Sequence, residues 1–150
     1  MMKKHIAVLI IPFGILLNTA VASDKMTEMA AKRCATEPVV FYGQFSDHRK
    51  EILVCKRDTG VSYYVGKLND SASMNEAIGP RRLKVMFDSG EMKEGMLINA
   101  GPEVYAISNQ GDDDYLFMRM KNNKSKPEVL ENDILDKTTV INNLRQHFMK

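Results

Sequence analysis

After residue 38 the apolar positions recur mostly with a period of two, and Gly, Pro, Asn or Asp interrupts them about every ten residues, the pattern of short strands separated by turns. Val39, Val40, Phe41 and Tyr42 make a first strand that Gly43 ends. Residues 51–57 and 61–67 are β-branched and aromatic runs joined by Asp58-Thr59-Gly60, a hairpin signature. Residues 81–88 place Leu83, Val85 and Phe87 on one face and Arg82, Lys84 and Asp88 on the other, with Met86 the exception. Further strands are expected at 96–98, 103–108 and 115–121, with turns at Gly101-Pro102 and at Gly111-Asp112-Asp113-Asp114. In the last of these, Leu116, Met118 and Met120 share one face and Tyr115, Phe117 and Arg119 the other, which predicts a strand inside the sheet.

Three segments depart from that period. Residues 24–33 are rich in helix formers and follow Ser23, a good N-cap, so a short helix is expected before Pro38. Residues 68–80 are small and polar and read as a loop with at most one helical turn. Near the C-terminus Val140, Leu144 and Phe148 are spaced four apart, with Ile141 alongside, which predicts an amphipathic helix over 135–149 capped by Asp136 or Thr138. The β-branched run at 138–141 offers a final strand as the alternative. Strands without intervening helices give a mainly β (α+β) fold: a curved antiparallel sheet or barrel-like domain with a short N-terminal helix and a C-terminal helix.

Residues 1–22 carry Lys3 and Lys4, an apolar run of about twelve residues and Ala20-Val21-Ala22, the signature of a cleaved export signal, too short for the roughly twenty residues of a permanent span. Cleavage before Ser23 is expected, leaving one mature domain at 23–150 in the periplasm or secreted. The full chain has 21 basic and 19 acidic residues; losing Lys3 and Lys4 leaves 19 of each. A neutral mature protein lacks the positive field that a phosphate backbone requires, so nucleic acid is not an expected partner.

Cys34 and Cys55 both lie beyond the signal, and two cysteines in an exported domain are expected to form one disulfide fastening the helix to the sheet. Nine of the eleven methionines follow residue 22, and Met86, Met118 and Met120 are expected to fill core gaps. His48 sits in a hydrophilic turn and His147 near the end of the C-terminal helix; neither has a nucleophile arrangement or a zinc motif beside it. No catalytic residue, metal or cofactor is expected. The consecutive acids do not match a calcium loop, which needs acids at alternating positions, but three carboxylates on one turn can enter a basic cleft of another protein.

The segments ILVCKRDTGVSYYVGK and INAGPEVYAISNQGDDDYLF, behind a signal peptide, resemble small periplasmic β proteins of Gram-negative bacteria, a group that includes lysozyme inhibitors and immunity proteins against type VI secretion effectors. The chain departs from the membrane-bound lysozyme inhibitors in lacking a lipid-attachment cysteine and a Ser-Gly-x-x-Tyr loop. The resemblance implies a non-enzymatic protein that binds and inhibits a toxic or cell-wall-degrading enzyme. The expected contacts are the 69–80 loop and Asp112, Asp113, Asp114 and Tyr115. The other classes open are a structural or accessory envelope protein acting through a strand edge, and a small-ligand carrier.

Overall fold

Ser23 caps the first helix, α1 (Asp24–Cys34), by accepting from the Met26 amide, and Asp24 and the Lys32-Arg33 pair suit the two ends of its dipole. The computed structural model describes residues 23–68, 74, 78–123 and 125–150. The segment read as an export signal and most of the 69–80 loop lie outside the described residues.

Nine strands follow among the described residues: β1 (Val39–Gln44), β2 (Lys50–Arg57), β3 (Gly60–Lys67), β4 (Leu83–Ser89), β5 (Met92–Asn99), β6 (Glu103–Asn109), β7 (Tyr115–Lys121), β8 (Glu128–Ile134) and β9 (Ile141–Asn142). They form two antiparallel sheets, ordered β3-β2-β1-β9 and β4-β5-β6-β7-β8. The fold is therefore mainly β, as the alternation predicts, but the sheets stay open and do not close into a barrel. Gly60 is required by a close approach: a Cβ there would sit 1.8 Å from the Ile78 carbonyl oxygen. That carbonyl accepts from Val61, extending the β3 edge by one bridge.

The sheets pack face to face. Phe41, Phe45, Ile52, Val54 and Tyr63 of the first meet Met96, Ile98, Ile107, Tyr115 and Phe117 of the second. Phe45 and Phe117 touch edge to face at 4.8 Å, and Tyr63 and Tyr105 lie 5.4 Å apart. Lys50 and Glu131 form an ion pair linking β2 to β8. The helix α1 covers the opposite side of the first sheet, packing Ala30 and Cys34 on Tyr42, Leu53, Cys55 and Tyr64.

Two expectations are corrected. The segment at 128–134, to which the pattern assigns no element, is the edge strand β8, paired with β7. The single helix expected over 135–149 is replaced by a 3-10 turn at Lys137–Thr139, the short β9 and a five-residue helix, α2 (Leu144–Phe148). Asp136 does act as a cap, accepting from the Thr138 amide, but it caps the 3-10 turn. Tertiary contacts override the helical spacing here. Tyr42 and Phe41 pair with Ile141 and Asn142, the Gln44 amide donates to Thr139 Oγ1 at 2.9 Å, and Val140 and Leu144 are buried.

Candidate functional site

The expected disulfide is present. Cys34 ends α1, Cys55 lies within β2, and their Cα atoms are 5.6 Å apart. A second latch lies beside it. Arg33 Nη1 donates to Glu51, whose carboxylate is wholly buried, and Tyr42 donates to the same carboxylate at 3.0 Å. The Arg33 guanidinium also lies 4.6 Å over the Tyr64 ring. Burial is the main cause that pushes the Tyr42 hydroxyl up to about 12. Nothing in the spacing of the chain announces this cluster, because Glu51 and Arg33 come from different elements and a strand-start Glu ordinarily faces water.

The three acids sit where the pattern places them, on the turn joining β6 to β7. Asp112 and Asp113 take the left-handed conformation, with φ of 50° and 59°, which Asp tolerates better than most residues. The turn is held by Asp114 donating its amide to the Gly111 carbonyl at 2.9 Å, and by the Gly111 amide donating to Asn109 Oδ1 at 2.9 Å. All three acids are exposed, and among the described residues none has an ion-pair partner.

Tyr115 differs. It is 7% exposed, stacks at a tilt on Phe41 at 5.8 Å, and its hydroxyl accepts from Asn142 Nδ2 at 3.2 Å. Expected at the contact surface, it is a core residue that anchors the base of the turn. Its inward orientation follows from register, since Tyr115 and Phe117 share the face that meets the first sheet. Of the 69–80 loop only Met74 and residues 78–80 are described.

The outer face of the second sheet is the feature that sequence reasoning missed. One row across the strands runs Lys84, Leu97, Ala106, Met118 and Asn132. On one side of it lie Met86, Gly95, Ser108, Leu116 and Ile134, and on the other Asn99, Val104, Met120 and Val129. None of these belongs to either core; at one end Arg81 and Arg82, from the 3-10 turn before β4, lie beside Leu97, Asn99 and Val104. Val129 and Ile134 are 53% and 56% exposed. Met86, Met118 and Met120, expected in the core, are thus only partly buried and lie on this face. The available signal was the double-sided apolar character of β7, which marks a second surface as readily as a second buried layer.

His48 Nε2 lies 2.9 Å from Asp136, an exposed contact that ties the β1–β2 turn to the segment after β8. The Thr138 hydroxyl, then the Thr138 amide and His48, hold the Asp136 carboxyl below its usual range. His147 lies in the last turn of α2. No group of three or more potential metal ligands occurs among the described residues, and no helix among them is long and apolar enough to cross a membrane. No protein family, curated protein or solved structure matches this chain.

Proposed function

We propose that the chain is a non-enzymatic periplasmic binding protein that occludes the active site of a toxic or cell-wall-degrading enzyme. The observation supporting this reading is the Asp112–Asp114 turn, three exposed carboxylates without ion-pair partners among the described residues, on a stem fixed by buried Tyr115. Inhibition of this kind needs a charged projection that is already ordered before contact, so that little conformational freedom is lost on binding. The disulfide suits an oxidising compartment, where such a protein would meet its target.

The test starts from the periplasmic fraction, in which intact mass should place the N-terminus at Ser23. The mature protein, immobilised, should then capture a hydrolase from an envelope extract and inhibit it. Asp112→Asn, Asp113→Asn and Asp114→Asn together should slow association about tenfold at low ionic strength and flatten its salt dependence, because steering depends on those charges. A triple variant that binds as the parent does removes the turn from the mechanism. A second reading, an accessory envelope protein that adds a strand to its partner, is favoured by the β8 edge with its exposed Val129, Leu130 and Ile134. Capture of a non-hydrolytic assembly component, lost on substituting Leu130→Pro in β8, would favour it.

A further inference from the structure

We infer that the depression at the start of β4 is a binding site for a small phosphate monoester, which it holds by the phosphoryl group. The 3-10 turn Pro80–Arg82 and the first residues of β4 bring Arg81, Arg82 and Lys84 together around a cavity of about 240 Å³. Leu97 and Asn99 of β5 and Val104 of β6 line it from the sheet.

The polar side chains of this cavity are donors. Arg82 is set in place by its Nε, which donates to the Asn99 carbonyl at 2.9 Å and leaves the two terminal nitrogens of the guanidinium for a ligand. The Asn99 amide is oriented as well. Its Oδ1 accepts from the Gly101 amide at 3.1 Å and from Asn122 Nδ2 at 3.4 Å, so its own Nδ2 remains to donate. Among the described residues Arg81, Arg82 and Lys84 have no ion-pair partner, and no carboxylate is among the residues that line the cavity. Three cations without an acid between them make a local positive potential in a chain whose charges nearly balance.

The number of donors selects the anion. A phosphate monoester carries a charge of about −1.5 to −2 at neutral pH and three strong acceptor oxygens, which two guanidinium forks, an ammonium and an amide can satisfy together. A carboxylate offers one charge and two oxygens and leaves a cation unused. Size sets the rest of the ligand. The cavity holds about eight times the roughly 30 Å³ that one water occupies in the liquid, room for a phosphoryl group and a few carbons. Leu97 and Val104 give those carbons an apolar surface. A nucleotide needs more than this, since pockets for drug-sized ligands run from about 300 to 1,000 Å³. The site shares no residue with the Asp112–Asp114 turn, so it stands or falls independently of the inhibitor reading.

All three cations are exposed, which makes each contact weak, and the expected dissociation constant is on the order of 1 mM. Titration of the isotope-labelled protein with glycerol phosphate, followed by NMR to about 20 mM at constant ionic strength, should shift the amides of residues 81–84, 97–99 and 104 along one saturating curve. Amides beside Arg49 and Lys67, two other exposed cations without ion-pair partners among the described residues, should not follow it. Acetate at the same ionic strength should bind at least about tenfold more weakly. Arg81→Gln combined with Lys84→Gln should weaken binding of the ester at least about tenfold and leave the rest of the spectrum in place, because neither side chain has a partner to lose. Phosphatidylcholine vesicles containing about one fifth phosphatidic acid separate the two sources of such a group. Co-sedimentation that the double variant loses would support a lipid headgroup as the ligand, and binding of the soluble ester alone would support a free metabolite. No saturating shift, equal shifts beside Arg49 and Lys67, acetate binding as tightly as the ester, or a double variant that binds as the parent does would each overturn the inference.

Discussion

The two sheets have similar outer surfaces and different fates. On the first, Tyr42, Leu53, Cys55 and Tyr64 lie beneath α1 and are almost wholly buried. On the second, Leu97, Val104, Leu116, Met118 and Met120 are also apolar, yet they are only partly buried and belong to neither core. The difference is not hydrophobicity but attachment. An eleven-residue helix is marginal in water by itself, and α1 is held to its sheet by a disulfide and by the Arg33–Glu51 pair. The outer face of the second sheet has no such element among the described residues.

Breaking the latch should have the largest effect. Cys55→Ser should lower unfolding free energy by about 2–5 kcal/mol in urea titrations, the usual loss for a native disulfide in a small domain. Non-reducing peptide maps of the parent should return one cross-linked peptide joining Cys34 to Cys55, and thiol labelling should find none; free thiols would contradict the latch. Next comes a matched pair of truncations. Leu53→Ala under α1 should cost about 2–5 kcal/mol, as in other packed cores. Met118→Ala on the second face should cost less, about 1 kcal/mol. Equal costs would mean that both faces are covered.

Alkaline pH probes the covered surfaces selectively. Burial is the leading cause raising the ionisation of Tyr42, to about 12, of Tyr105, also to about 12, and of Tyr63 and Tyr115. All four lie under α1 or between the sheets, none on the second outer face. Each folded-state value exceeds that of the unfolded chain, so the unfolded state releases protons first as pH rises. For Tyr42 and Tyr105 that stability is complete below about 10 and falls between about 10 and 12, by up to about 1.4 kcal/mol per pH unit for each group titrating only in the unfolded chain; Tyr63 and Tyr115 act in the same direction. Chemical denaturation at pH 8 and at pH 11 measures the loss, and Tyr42→Phe should reduce it. The smallest stability effect belongs to the triple Asp→Asn variant, within about 0.5 kcal/mol of the parent, because a solvated turn carries little of the fold.

Alternation by itself determined the inner face of β4, the β2–β3 hairpin and the sites of the turns, since a period of two fixes which residues share a side of a sheet. Ser23 and the helix formers of residues 24–33 determined α1, and two cysteines in one small domain determined the bridge. Register and long-range contact decided the rest. Tyr115 reads as a contact residue beside the acidic turn until its pairing with Asn109 turns it inward on Phe41. Residues 141–142 join β1 because that strand would otherwise expose an unpaired edge, a demand that local helix spacing cannot register. Glu51 is buried because a helix from elsewhere in the chain brings Arg33 to it. Met118 lies outside the core for the same physical reason: a strand's sequence specifies two faces, and only the arrangement of other elements decides which of them is covered.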